Sequence, residues 1–384
     1  MEERLSADEL AALVRRVFRP RPGEGGLAIL TDLPDRRGPD HPRWQARRRL
    51  AADWTAQLRS RSSELGFATH LALYPNVHAN NADLPASAWL REGGPLPACA
   101  EELDPAAGLR WAELFAAHPL VIAMTEFSAT APLKMAAKSL RFRAATMPGF
   151  RAEMVPALRL DYGEVNRRVE RLKDLLDRAG GADLRWSTPA GDCDLHLDLR
   201  FREAHASGGL LDQPGTAGNL PSGEAYIVPY EGERAGEPSR SAGVLPVQFG
   251  TEVVRYRVAG NRAVAVLSQG PRSREEAALL AKEPAYGNLA ELGLGVLAGF
   301  GIRPIGETLL DEKLGLHIAF GRSEHFGGQV GPASFSRPEA VVHIDRVYVP
   351  EAQPGVLVAA VDLRMEDGAV LPLMRDNDYV ADFR

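Results

Sequence analysis

LAILTD at residues 27–32, ATHLALY at 68–74, PLVIAMT at 119–125 and RAATM at 143–147 are the stretches on which the reading of the fold turns. Each is nearly all apolar over a strand's length, the pattern of a strand covered on both faces. Longer segments with helical spacing lie between them, at 44–65 with its Arg-rich face, 106–118, 131–140 and 161–179. Strand and helix therefore alternate through residues 26–184, and this alternation predicts an open, mostly parallel sheet wrapped by helices. Ligands of such sheets sit beyond the C-terminal ends of the strands, which here carry Asp32, the stretches 76–83 and 126–130, and Pro148.

After Gly180 the pattern changes. Strand-length segments such as CDLHLDLRF, GEAYIVPY, TEVVRYRVAGNRAVAVLS, LHIAFG and AVVHIDRVYV are separated by Gly, Pro, Asp and Ser. Period-two alternation over 251–267 is broken by Gly260-Asn261, a hairpin turn signal. One helix is expected at about 273–282, and the Gly/Pro/Ser-dense stretches 205–220 and 231–244 read as mobile surface loops. The expected organisation is an α/β domain over 1–180, a mostly parallel sheet with flanking helices, followed by a β-rich α+β metal-binding domain over 181–384.

Composition narrows the function. With 384 residues, 45% of them hydrophobic and 25% charged, the chain is an ordinary folded protein long enough for two cores. A net charge of -6 supplies no large basic field, so nucleic acid is not the expected partner. Cys99 and Cys193 are too far apart in sequence for a Cys-x-x-Cys site and too few for a disulfide framework. The opening MEERLSADELAALVRRVFRP has helical spacing and no secretory pattern, and no run of about 18 apolar residues occurs, so a cytoplasmic protein without a membrane span is expected.

Four places in the second half put acidic or imidazole groups at strand ends or edges: Glu224 in NLPSGEAYIVP, Glu291 in NLAELGLG, His317 in LHIAFG, and His343 with Asp345 in VVHIDRVYV. His343 and Asp345 stand two apart on a strand and so face the same side. Zinc, cobalt and ferrous iron take imidazole and carboxylate together, and a two-ion centre needs five or six such donors with one carboxylate bridging. Other candidates are weaker. His70 and His78 with their Asn/Asp neighbours are explained equally by turn chemistry, and Ser128 by a helix cap. Lys313 is read as a surface salt link ahead of two other roles, polarising a substrate carbonyl or anchoring a carboxylate. Neither a nucleophile elbow nor a phosphate loop is present.

The segments SATAPLKMAAKSLRFRAATMPGF, GNLPSGEAYIVPYEG, NLAELGLG, DEKLGLHIAFGRS, HFGG and HID, in this order, resemble the aminopeptidase T group of leucyl aminopeptidases, the thermophilic-type dinuclear metallopeptidases. The resemblance implies Glu224, Glu291, His317, His343 and Asp345 as metal ligands, two zinc or cobalt ions per chain, a homodimer, and cleavage of a small peptide or amide by metal-activated water. Glu224 or Glu291 would bridge. The family carries a tyrosine seven residues after its first ligand histidine; Glu324 stands there in this chain, followed by His325, so Glu324 joins Glu224 as a candidate catalytic carboxylate. A related branch, the 2,5-dihydroxypyridine 5,6-dioxygenases, implies instead one ferrous iron on His317, His343 and Asp345 and a small aromatic substrate.

Overall fold

The computed structural model describes residues 4–381. Five strands precede residue 150: β1 (Leu27–Leu33), β2 (Thr69–Pro75), β3 (Trp89–Arg91), β4 (Leu120–Ala123) and β5 (Arg143–Thr146). Next come β6 (Ala179–Thr188), β7 (Gly191–Asp198), β8 (His205–Ser207), β9 (Ala217–Asn219) and β10 (Glu224–Ile227), then β11 (Ala242–Phe249), β12 (Glu252–Ala259) and β13 (Arg262–Val266). The chain continues with β14 (Leu289–Gly295), β15 (Leu316–Gly321), β16 (His343–Val347), β17 (Leu357–Met365), β18 (Val370–Arg375) and β19 (Asp378–Tyr379). The result is the expected mixture of a parallel sheet with helices and a β-rich remainder.

The first sheet has the order β3-β2-β1-β4-β5-β9. β1 runs parallel to β2 and β4, β4 to β5 and β5 to β9, while β3 is antiparallel at the edge. Every residue of β1 is buried, as a central strand covered on both faces requires. Ala28, Leu30, Val121 and Ala144 pack with Leu114, Phe115, Leu133 and Phe142 of the covering segments into one core. The first helix, Ala7–Phe18, begins on a capping box in which Ser6 and Glu9 satisfy each other's backbone N–H groups.

Three local expectations are corrected. The helix expected over 44–65 is Pro42–Arg59 followed by the single turn Ser62–Leu65, because Ser60 and Ser62 hydroxyls bond back to the carbonyls of Gln57 and Arg59 and Gly66 closes the turn in a left-handed conformation. That expected over 106–118 covers only Trp111–Ala117, with a 3-10 turn at Pro105–Ala107 before it. The stretch 205–220, expected as loop, contributes β8 to one sheet and β9 to another; strands of three residues carry too little periodicity to read.

Contacts divide the chain into two compact units, one running to Val165 and taking back Gly209–Ser222, the other comprising Asn166–Gly208 and everything from Gly223. The chain therefore crosses between units three times, where the change of sequence pattern marked a single break near 180. Within the second unit, an eight-stranded sheet has the order β13-β12-β11-β7-β6-β17-β18-β19 and a five-stranded sheet the order β16-β15-β14-β10-β8. The Gly260-Asn261 turn joins β12 to β13 with positive φ at both residues (57° and 64°), the geometry whose twist matches the flanking strands. Among the described residues no helix is long and apolar enough to cross a membrane.

Candidate metal centre

One face of the five-stranded sheet carries the acidic and imidazole groups. Register places Tyr226 opposite both His205 and Gly293, Gly293 opposite His317, and Ala319 opposite both Glu291 and Asp345. Residues directly opposite across a ladder point to the same side, as do residues two apart on a strand. Glu224 and Tyr226 of β10, Glu291 of β14, His317 of β15 and His343 and Asp345 of β16 thus share a face. Gly293 and Gly295 occupy the same face without side chains. A Cβ on Gly293 would stand 1.9 Å from His317 Nε2, and one on Gly295 would stand 2.1 Å from the Lys313 carbonyl carbon, so these glycines are the space into which the His317 ring and the Lys313 segment fit. A register shift between Leu289 and Glu291 re-aims the middle of β14 at the position that bears the carboxylate.

The five side chains singled out in the sequence converge. Glu291 is the pivot: its Oε1 lies 3.3 Å from His317 Nε2 and its Oε2 3.2 Å from His343 Nε2. Glu224 Oε2 approaches His317 Nε2 at 3.5 Å, and Asp345 Oδ1 approaches His343 Nε2 at 3.5 Å. Two groups of donors closing to within 4.8 Å result, Glu224-Glu291-His317 and Glu291-His343-Asp345, with Glu291 common to both. The outward ring nitrogens are directed at backbone carbonyls, His343 Nδ1 at Arg322 O (2.7 Å) and His317 Nδ1 at Gly315 O (3.4 Å), an arrangement that turns each Nε2 toward the carboxylates.

Lys313 is a further member, and the surface salt link expected for it is corrected. It is fully buried, with Nζ 2.5 Å from Glu224 Oε1 and in contact with Glu312 Oε1 as well. Asp311 brings it there by accepting hydrogen bonds from the backbone N–H groups of Ile305 and Gly306, which shapes the turn entering β15. The apolar residues on both sides of Lys313, Leu309, Leu310, Leu314 and Leu316, are the signal that this segment runs through the interior. Glu312 was not singled out at all, since one carboxylate in a charged triplet has no distinguishing pattern.

Opposite charges face one another across the cluster. Burial works against the His317 imidazolium, yet the Glu291 hydrogen bond and the charges of Glu224, Glu291 and Asp345 outweigh it and raise His317 to about 9. Burial likewise opposes ionisation of Glu291 and Asp345, and the facing imidazoles more than reverse it, holding both below the usual carboxylate range. Glu312 behaves oppositely: burial, assisted by Glu224 and Asp345, pushes it up against the pull of Lys313.

Glu324 lies outside the convergent set. It sits in the turn after β15 and makes a two-nitrogen contact with Arg322, Nε to Oε2 at 2.7 Å and Nη2 to Oε1 at 2.5 Å. Its neighbour His325 brings an imidazole within 5.2 Å of the His343 ring, centroid to centroid, with Nδ1 3.7 Å from Glu324 Oε2. Burial and the positive charge of His343 push His325 down to about 4. The candidates in the first unit are accounted for locally. His70 is at the start of β2, where its Nδ1 lies 2.9 Å from His118 Nε2, and His78 pairs with Asp35 at 2.8 Å. Ser128 does not take the N-cap position, which Ala129 holds, although its hydroxyl accepts from Thr130 N and Asn81 accepts from Ala131 N.

The donor set fits divalent cations. Glu224 Oε2 is buried with no hydrogen-bond partner, and both imidazoles direct Nε2 inward among carboxylates, so an unsatisfied oxygen stands beside two inward-facing ring nitrogens. No family model matches the chain, and no curated protein matches it by sequence. Solved structures do match. The 2,5-dihydroxypyridine dioxygenase of Pseudomonas putida KT2440 superposes with a TM-score of 0.62 at 15% identity, covering 99% of each chain. AmpT of Thermus thermophilus superposes with a TM-score of 0.53 at 17% identity, covering 98% of this chain and 99% of its own. The fold is shared with enzymes of two chemistries. At these identities the likeness is one of architecture, and it extends along the whole chain.

Proposed function

We propose that the protein is a metal-dependent hydrolase that cleaves a peptide or amide bond in a small substrate, with zinc or cobalt, two ions per chain, held by Glu224, Glu291, His317, His343 and Asp345. The observation that carries this reading is the division of the Glu291 carboxylate, one oxygen toward His317 and the other toward His343. A carboxylate common to both donor groups is the residue that two ions held side by side would share. Bound divalent ions lower the pKa of a water and polarise a carbonyl oxygen. The chain's own residues do the rest. Lys313 holds Glu224 Oε1, presents Oε2 to the centre and fixes one wall of it. His325, whose ring stands beside that of His343, is placed to take the proton that the attacking water would release, and Glu324, anchored by Arg322, lies against its Nδ1. In this reading Glu324 acts through His325.

A second reading is favoured by the higher TM-score to the dioxygenase: one ferrous iron on His317, His343 and Asp345, acting on a small aromatic ring with oxygen. Metal stoichiometry measured beside turnover separates the two. The hydrolase reading expects about two ions per chain, as its mechanism requires, aminoacyl anilide hydrolysis under nitrogen, and loss of one ion with activity in Glu291→Gln. One bound iron that survives Glu291→Gln, with turnover strictly dependent on oxygen, would establish the second reading and reject the first.

A further inference from the structure

A row of rings leads away from the candidate centre. His205 and Tyr226 have centroids 5.1 Å apart, Tyr226 and Phe326 4.8 Å, and Phe326 and His325 3.9 Å; Phe326 and His325 then reach the His343 ring at 5.5 and 5.2 Å. The sheet places one half of the row, since Tyr226 lies opposite His205 and two residues beyond Glu224 on the same face. The turn after β15 places the other half: His205 Nε2 donates to the Phe326 carbonyl at 3.0 Å, and Gly327, at φ 99°, turns the chain back behind it. Tyr226 is buried while His205 and Phe326 are partly open, so the row is a wall with one accessible side. Its far end is a ligand histidine.

We propose that this wall is the subsite for a flat aromatic group of the substrate, attached to the atoms that reach the metal centre; the inference rests on the reading of that centre given above. Rings at these separations offer stacked and edge-on contacts to another ring, and a saturated group of the same size buries similar area without them. His205 and His325 add polar edges to the wall, which suits an aromatic group better than a purely aliphatic one. The contact is additional to ligation, because His205, Tyr226 and Phe326 are outside the donor groups.

The test uses metal-loaded full-length protein and three small chelating probes that presuppose neither amide cleavage nor oxygen chemistry: acetohydroxamate, cyclohexanecarbohydroxamate and benzohydroxamate. Dissociation constants are measured by calorimetry, with metal content determined for every sample. Benzohydroxamate is expected to bind about tenfold more tightly than the cyclohexane probe, the effect of one or two ring contacts. Phe326→Leu and Phe326→Ala should bring the two within about twofold while acetohydroxamate affinity and metal content stay as in the wild type. Equal affinity of the flat and saturated probes in the wild type, or a flat-ring preference that survives both variants, overturns the aromatic subsite and leaves the metal centre standing. Protein that takes up no metal and binds none of the three overturns both.

Discussion

Lys313 illustrates how much a single residue can hold. Its ammonium is buried between Glu224 and Glu312, so removing it strands the buried Glu224 carboxylate and takes the cation from Glu312. Lys313→Met should destabilise the metal-free protein by about 3–5 kcal/mol, the usual cost of breaking a buried pair from one side, as read from denaturant unfolding. His317 sets a pH dependence. Its folded value of about 9 lies above the ordinary histidine value, so its contribution to the stability of the metal-free fold is fully present below about 6.5 and is lost as pH rises through about 9. Metal binding has the opposite sense, because an imidazole must be neutral to ligate. Affinity should rise by about tenfold per pH unit for each displaced proton up to that value, with protons released on loading. Calorimetry in buffers of different ionisation enthalpy gives the proton count, and an affinity that does not change between pH 6 and 8 contradicts it. At His325, replacement by Ala should lower hydrolysis by about 10²–10⁴-fold, the range of general-base catalysis, with metal content unchanged; retained turnover would move the proton acceptor elsewhere.

Among the elements, the five-stranded sheet does the positioning, and its glycines are as decisive as its acidic and imidazole side chains. Gly293 lies opposite His317, and an added methyl would meet the ring nitrogen. Gly293→Ala should therefore reduce metal uptake while leaving the circular dichroism of the sheet intact, a separation that a general loss of folding would not produce. Legibility differed from strand to strand. His343 and Asp345 were readable as a pair because a period of two puts them on one face of β16. Glu224, Glu291 and His317 each stand alone on a different strand, and their relation depends on which strand pairs with which. The resemblance supplied the order of those segments. The register β10-β14-β15-β16 supplied the distances. His325 was named only as the neighbour of Glu324 at the place of the family tyrosine, and Tyr226 was not selected, since it reads as an ordinary apolar strand residue.

The whole molecule adds a constraint that no element contains. β9 returns to the first unit and pairs with β5, where Asn219 meets Thr130 and Thr146 in a shared hydrogen-bond set, with Oδ1 3.0 and 2.8 Å from their hydroxyls. A fragment ending at residue 180 loses these bonds and exposes the edge of β5. It should aggregate in size-exclusion chromatography, whereas residues 1–165 joined through a linker to 209–222 should elute as a discrete species. A well-behaved 1–180 fragment would show that β9 is dispensable to the unit.

Local sequence determined the elements of both units: apolar runs and helical spacing over 26–184, alternation and a Gly-Asn turn beyond 180, and a His-x-Asp pair on one strand face. These are properties of neighbours, fixed by periods of 3.6 and 2 and by the φ angles that glycine and asparagine tolerate. Only the tertiary structure decided that residues 209–222 belong with the first sheet, that Lys313 pairs with Glu224, and that Glu291 divides its carboxylate between two histidines. Each of these depends on pairing between segments tens of residues apart, whose register follows from the packing of the entire sheet and leaves no mark in the spacing of any one of them.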